Sequence, residues 1–538
     1  MSRSVHAQNQ KRSTSASIAA WFGRLPLESR LVLLVCVIAL VLRLLPVGGV
    51  STDYDEGVYW QSLRAMSNGY PLFTSVFSSQ PPFFLLSLYP LYSFFGLFFG
   101  QTLVAARLGI VVYSVIGLIA IYFAGRSIGG RWVGLLALAL LAADPFYLKE
   151  SYTLQAEVPA LAWQLVALAL AVAAMRSSGR ARRLLAFGSG VALGLGVLTK
   201  LFDVFVVLPM LCYLLMPVAN AWDIEGKRLR FRGRATLLAG LRAALPDIGL
   251  LIAGALLAFL VVLLPFAGHL GIVYDQVIRY HLAAGQHATN GLGYNVRLLA
   301  SDATEYLLVA LAFVGTVVAI RQRNWAVIPL LLWAVACFGF LLRQQPLLDH
   351  DRILLVPPLV LLASLIAHGY RRAEAIAPKE QRMRAFRLPE TAAGRALLLL
   401  TTGVILITLL IGGAVTRRDV RTPLPESTVE MASALRAATI PGDLVASDDQ
   451  YIAGLADRNT PPQLVDTSLV RIQSGYLTAS QLESIITQDD IRVILFASGR
   501  FKLVPGFSAW VQANFTKIAD FGDGRALYQK VPQGPQPV

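Results

Sequence analysis

Long apolar stretches separated by short polar connections dominate the chain from about residue 30 to residue 415. Twelve of them are long enough, or nearly so, to cross a bilayer: 31–49, 83–100, 103–124, 132–148, 157–175, 184–199, 201–217, 246–268, 304–320, 325–342, 353–369 and 396–415. The pattern predicts a polytopic α-helical membrane protein with about 11–12 transmembrane helices. The first run has basic flanks (Lys11, Arg12, Arg24, Arg30) and no small-residue cleavage site after it, so it reads as an uncleaved anchor. The run at 83–100 stands apart. It is crowded with Phe83, Phe84, Tyr89, Tyr92, Phe94, Phe95, Phe98 and Phe99, and it contains Pro90 and Gly96. Aromatics on this scale favour the membrane interface, so this run is expected to lie along one surface, or dip into it, which leaves eleven crossings.

Beyond residue 416 the pattern changes. Short β-rich runs (Asp443–Ser447, Val493–Ala497, Ala526–Gln529) alternate with helical stretches near 426–438 and 478–488, the signature of a small C-terminal α/β domain. The chain thus divides into a basic N-terminus (1–30), a membrane region (31–416) and a soluble domain (417–538). The ends, Ser4–Ser17 and Pro532–Val538, read as disordered.

Composition narrows the class. Of 538 residues 56% are hydrophobic and 15% charged, against about 25% charged in soluble chains. A soluble enzyme, a disordered chain and a small secreted scaffold are excluded. Cys36, Cys212 and Cys337 all lie inside apolar runs and offer no disulfide or metal framework. The net charge of +15 is explained by its distribution. Alternate connections, including 176–183, 218–245 and 370–395, hold 26 Lys and Arg with the N-terminus, while the opposite connections hold 8. By the positive-inside rule the basic segments face the cytoplasm, and no nucleic-acid partner is needed. An odd number of crossings then places 417–538 outside the cytoplasm. The expected location is a bacterial cytoplasmic membrane, with membrane lipid as a constant partner.

The outer connections can be read as one surface. They carry Asp53-Tyr54-Asp55-Glu56, Tyr59 and Gln80; then Asp144, Lys149, Glu150 and Glu157; then His269, Asp275, Arg279, Tyr280, His281 and His287; then Arg343, Asp349, His350, Asp351 and Arg352. Carboxylates that accept a proton, beside cations that neutralise a departing phosphate, suit a site that binds a phosphate and deprotonates a hydroxyl beside a membrane. Each group also has a plainer role. Loop acids are often only solvated, Glu157 serves a helix dipole, His281 and His350 suit an interface, and Lys200 is placed to snorkel from a span end.

The succession of short motifs resembles a known family. Asp55-Glu56-x-x-Tyr59, Gly69, the Pro81-Pro82 pair, Ala105-Ala106-Arg107-Leu108, Glu157, Leu198-Thr199-Lys200, and His350-x-Arg352 before Leu355-Val356-Pro357-Pro358 follow one another over roughly residues 30–370. This order is similar to that of the polyprenyl-phosphate-sugar-dependent glycosyltransferases of GT-C fold, which include the protein O-mannosyltransferases and the lipid A aminoarabinose transferases. The resemblance implies an inverting glycosyltransferase that moves a sugar from a polyprenyl-phosphate carrier to a hydroxyl of a lipid, glycan or protein acceptor. It implies Asp55 as general base, Glu56 as its assistant or a metal holder, and Glu157 as the second-loop acid of the acceptor and metal site. Arg107, His350 and Arg352 would line the donor phosphate region, with Tyr59 and His281 as further substrate contacts. A divalent metal is left open. There are two departures. Gln80 stands where many relatives carry Lys and cannot neutralise phosphate, which leaves Lys149, Arg279 or Arg352 as the substitute cation. Val58 before Tyr59 argues against aminoarabinose transfer. The alternative is a transporter or flippase for a lipid-linked glycan, which predicts midspan charges and internal repeats. Arg43 is the only midspan charge, and no repeat is evident.

Overall fold

The structure, a computed structural model, describes residues 25–531 apart from 52, 220–221, 226–227, 232, 288–290, 302 and 371–391. The two ends expected to be disordered, Ser4–Ser17 and Pro532–Val538, lie outside the described residues.

All twelve apolar runs are helical. The labelled helices are α1 (Leu27–Leu44), α2 (Tyr54–Ser67), α3 (Pro82–Phe99), α4 (Leu103–Gly129), α5 (Arg131–Ala143), α6 (Pro145–Glu150), α7 (Glu157–Met175), α8 (Gly179–Val197) and α9 (Val207–Leu214). They continue with α10 (Arg234–Leu263), α11 (Tyr280–His287), α12 (Ala303–Arg321), α13 (Val327–Arg343), α14 (Val356–Ser364) and α15 (Ala392–Arg421). Among the described residues, seven helical segments are long and apolar enough to cross a membrane. Several of the others fall short for visible reasons. Helix α1 carries Glu28, Arg30 and Arg43, α8 begins with Arg180, Arg182 and Arg183, and α5 and α13 have fewer than 18 residues. Close packing between α8 and α10 depends on glycine. A methyl group at Gly190 would collide with the Leu251 carbonyl, and one at Gly254 with that of Phe187, so small residues let the two backbones touch.

Helix α3 meets the length and composition test, and both of its ends are tied by hydrogen bonds. At its start the Phe83 amide donates to the Leu198 carbonyl just after α8 (2.9 Å). Just past its end, the Gln101 carbonyl accepts from the Trp60 indole (3.0 Å) and from Arg64 (3.3 Å), both on α2. Asp55 and Tyr59 of α2 line the same cavity as Lys200 and Leu201 just after α8, so both ends of α3, about 27 Å long, meet segments that border that cavity. Pro90 is absorbed inside the helix. Phe94, Leu97 and Phe98 remain exposed along it, an aromatic surface suited to an interface.

The C-terminal region folds on a four-stranded sheet of order β3-β4-β6-β5, where β3 is Ala446–Ser447, β4 Val493–Phe496, β5 Phe515–Asp520 and β6 Ala526–Lys530. A separate hairpin within the membrane region, β1 (Trp222–Glu225) and β2 (Arg228–Phe231), precedes them. Strand β3 runs parallel to β4, and the remaining pairs are antiparallel. All four residues of β4 are buried. Helices α16 (Glu426–Ala437), α17 (Gln450–Leu455), α18 (Ala479–Gln488) and α19 (Phe507–Asn514) complete the region.

This region is seated on α2. Gln61 donates to the Arg458 carbonyl (3.0 Å), Arg64 bonds Asn459 (2.6 Å) and Asp457 (2.9 Å), and the Tyr54 hydroxyl meets Thr467 (3.0 Å). Gly57 and Gly454 permit the fit: a Cβ on the first would strike the Tyr451 backbone, and one on the second the Trp60 ring.

Candidate active site

Helix α2 begins on Asp53, whose carboxylate caps it by accepting the Asp55 amide at 2.9 Å. Helical spacing then sends its residues to different neighbours. Asp55, Val58 and Tyr59 line a cavity of about 410 Å³, whereas Gly57, Gln61 and Arg64 meet the C-terminal region. Across the cavity stand Lys200, just after α8, and His350 and Asp351, at the turn that leads into α14. These residues converge because α7 starts, α8 ends and α14 starts at the same end of the bundle.

Lys200 is only 13% exposed and is ion-paired with Glu157 and, at 3.2 Å, with Asp351. Burial by itself would lower its proton affinity, but the two carboxylates outweigh that and hold its pKa above the ordinary lysine value. His350 stands between two acids, with Nδ1 3.7 Å from Asp53 and Nε2 3.4 Å from Glu157. Asp351 also accepts from Gln344 (2.8 Å) and the Leu348 amide (3.1 Å). Asp55 is pushed up to about 7 by burial, then by the Asp53 charge, with His350 opposing. One side of the cavity is apolar, formed by Phe202, Val204, Phe205, Phe340 and Leu348.

The structure brings together Asp55, Tyr59, Gln80, His281 and His350 on the cavity wall, with Glu157 directly beneath Lys200 and His350. The His281 ring donates from Nδ1 to the Val277 carbonyl (2.8 Å). Other candidates go elsewhere. Glu56 and Arg107 are buried and grip each other through two contacts (2.6 and 2.8 Å). Glu56 also accepts the Leu154 amide, and Arg107 donates to the Val47 and Gly49 carbonyls. Neither lines the cavity. Arg352 is paired with Asp349 (2.7 Å) and Glu305 (3.4 Å) over the Phe146 ring. Arg279 is largely exposed beside Asp275, and Lys149 lies off the cavity wall. Sequence reasoning undervalued Lys200, which is ion-paired and not snorkelling, along with Asp351 and the C-terminal Asp466 and Ser468, which also line the cavity. A signal was present for Lys200, since an ionisable residue at the end of a span and followed by Asp203 carries a functional presumption.

Two trios are close enough to hold a cation, Asp53/Asp55/His350 and Glu157/His350/Asp351. The second does not fit a divalent ion, because the Lys200 ammonium already sits on both of its carboxylates. In the first, Asp53 and Asp55 fit an ion of magnesium type, which takes one or two carboxylates and shares a substrate phosphate, while His350 is engaged between Asp53 and Glu157. Glu56, saturated by Arg107 and Leu154, takes no part.

A family model, dolichyl-phosphate-mannose-protein mannosyltransferase, matches residues 80–225. ArnT from Cupriavidus metallidurans bound to undecaprenyl phosphate superposes with a TM-score of 0.63 at 16% identity, over 94% of this chain and 99% of that one. Its apo form gives 0.62 at 17% identity over the same shares. The archaeal oligosaccharyltransferase AglB from Archaeoglobus fulgidus, in complex with an inhibitory peptide and a dolichol-phosphate, gives 0.55 at 13% identity over 93% of this chain and 74% of that one. The fold is GT-C. The chain is therefore a multi-pass helical membrane protein of that fold with a small C-terminal sheet region. No curated protein sequence matches it significantly.

Proposed function

We propose that the protein is an inverting glycosyltransferase that takes a sugar from a polyprenyl-phosphate carrier and places it on an acceptor hydroxyl at the outer face of the bacterial cytoplasmic membrane. The observation that carries this reading is a single cavity with an apolar side, a lysine at its border and a carboxylate beyond it. The isoprenoid chain lies along Phe202, Phe205 and Phe340, and its phosphate meets Lys200 and His350. Asp55 takes the proton of the acceptor hydroxyl. The acceptor oxygen bonds to the anomeric carbon as the bond from that carbon to the phosphate oxygen breaks, and the electron pair leaves with the phosphate. One displacement inverts the centre. Lys200 and His350 stabilise the departing charge from fixed positions, so Lys200 supplies the cation that Gln80 lacks. A divalent ion, when bound, would be held by Asp53 and Asp55 and would add positive charge beside the phosphate. The similarity to structures bound to undecaprenyl phosphate and dolichol-phosphate supports the lipid-phosphate donor. The concentration of Lys and Arg on alternate connections supports the sidedness.

The test is mass-spectrometric detection of free polyprenyl phosphate from purified protein and a panel of polyprenyl-phosphate sugars. Wild type releases the carrier with one donor of the panel, and Asp55→Asn lowers that rate by about 10²–10⁴-fold, the range for loss of a general base. Folded wild-type protein that releases nothing from any donor, with or without magnesium, sinks the reading in favour of glycan transport.

A further inference from the structure

The cavity wall is not made by the membrane helices alone. Part of it is built by the turn after Leu464 in the C-terminal region, which places Asp466, Ser468 and Val470 on the lining. Asp466 is 5% exposed. Its Oδ1 accepts the Ser468 amide (2.8 Å), which fixes the turn. The nearby Arg471 donates to the Asp466 main-chain carbonyl and to that of Gln463, and not to the carboxylate. Arg471 is near enough to feel the Asp466 charge, but among the described residues no cation lies within ion-pair distance of this carboxylate, and Oδ2 accepts no hydrogen bond. A carboxylate nearly withdrawn from water, with one oxygen open to a cavity, is costly unless a ligand donor satisfies it. The turn is held rigidly in place: Thr467 next to it bonds the Tyr54 hydroxyl through both its amide and its side chain (3.0 Å each), one residue before Asp55.

We propose that Asp466 is a sugar-recognition residue, its free carboxylate oxygen accepting hydrogen bonds from ring hydroxyls of a saccharide in the active-site cavity. The C-terminal region then sets specificity as well as covering the site. This inference rests on the glycosyl-transfer reading, and the shared chemistry, a polyhydroxylated ring, comes either from the donor's sugar or from a glycan acceptor. A carboxylate suits this role because it accepts two hydroxyl bonds at once and, when desolvated, penalises any analogue that lacks them.

Full-length wild type and Asp466→Asn are compared; the asparagine keeps Oδ1 for the Ser468 turn. Three quantities are read on each: affinity for the unglycosylated polyprenyl phosphate, KM for the donor that wild type uses, and KM for the acceptor. If the ring is the donor's, the donor KM rises about 10- to 100-fold, the loss expected for a charged hydrogen bond, and bare-carrier affinity does not change. If the ring is the acceptor's, the acceptor KM rises by that factor and both donor measures stay at wild type. Unchanged values throughout, a fall in kcat alone, or weakened binding of the bare carrier each overturns the proposal. Wild type that turns over no donor would instead mark failure of the glycosyl-transfer reading.

Discussion

Two clusters of buried charge lie within a few residues of each other on α2, and they have opposite chemical characters. Glu56 and Arg107 are nearly inaccessible and fully engaged: two contacts join them, and the Leu154 amide and two backbone carbonyls take the remaining positions. Asp55, one residue earlier, faces a cavity together with Lys200, His350 and Asp351, where acids outnumber cations and oxygens remain open. Burial and charge are common to both clusters. What separates them is whether the hydrogen-bonding capacity is used up inside the protein or left for a ligand. The first is a brace that ties α2 to α4 and to the segment before α7. The second has the unfinished electrostatics that the proposed substrate site requires.

The comparison breaks most sharply at Lys200. Replacement by methionine keeps the length of the side chain and removes the charge. Steady-state release of polyprenyl phosphate should fall by about 10²–10³-fold, the usual cost of deleting one electrostatic stabiliser of a developing anion. Lys200→Arg separates charge from bulk and should recover part of that loss. Methionine at wild-type rate would remove Lys200 from the phosphate site and place its two ion pairs in the same structural category as Arg107.

The brace should respond in the opposite way. Glu56→Gln leaves the Arg107 guanidinium buried without its counter-ion, a situation that costs about 3–5 kcal/mol, so thermal unfolding in detergent should shift well down and the yield of folded protein should drop. Turnover per folded molecule should stay within about twofold of wild type. The double change Glu56→Leu with Arg107→Met removes both charges and should restore most of the lost stability, because an apolar pair carries no unpaid desolvation. Normal stability with lost turnover in Glu56→Gln would move Glu56 into the reaction and dissolve the contrast.

This contrast explains which parts of the molecule were legible in the sequence. Every apolar run became a helix, because length and hydropathy are local properties. The aromatic run at 83–100 became a helix long and apolar enough to span, and only its end contacts, with the residue after α8 and with α2, set it apart from the other runs. Strand β4 was visible as a continuous apolar run, whereas β5 was not, since in Phe515–Asp520 only Phe515 is buried and an edge strand lacks the apolar signal. The site was half legible. Asp55 and Glu56 are adjacent acids with the same local context, and only the 100° turn between them decides that one meets a cavity and the other Arg107, 51 residues away. Lys200 looked like a snorkelling lysine because its partners lie 43 and 151 residues away. Asp466 could not be read at all, since its place on the wall depends on the C-terminal region docking on α2 across some 400 residues of chain.

The smallest effect is expected at Arg352, where sequence and structure disagree. The family resemblance offered it as a donor-phosphate residue and, with Lys149 and Arg279, as one of three cations able to stand in for the lysine that Gln80 replaces. In the fold its guanidinium lies over the Phe146 ring, 4.9 Å from the centroid, and is paired with Asp349 and Glu305 off the cavity wall. A cation already committed to two carboxylates and an aromatic face has little left for a phosphate it does not face. Arg352→Lys keeps the charge but loses the planar fork that fits this slot, so it should lower thermal stability slightly and leave the donor KM within about twofold of wild type. Arg352→Ala should destabilise more, through loss of both ion pairs and of the contact with the Phe146 ring, again with the donor KM nearly unmoved. A donor KM raised tenfold in Arg352→Lys, with the melting temperature unchanged, would instead mean that Arg352 turns toward the cavity when the carrier binds, and the boundary drawn between braced and unfinished charge would have to move to include it.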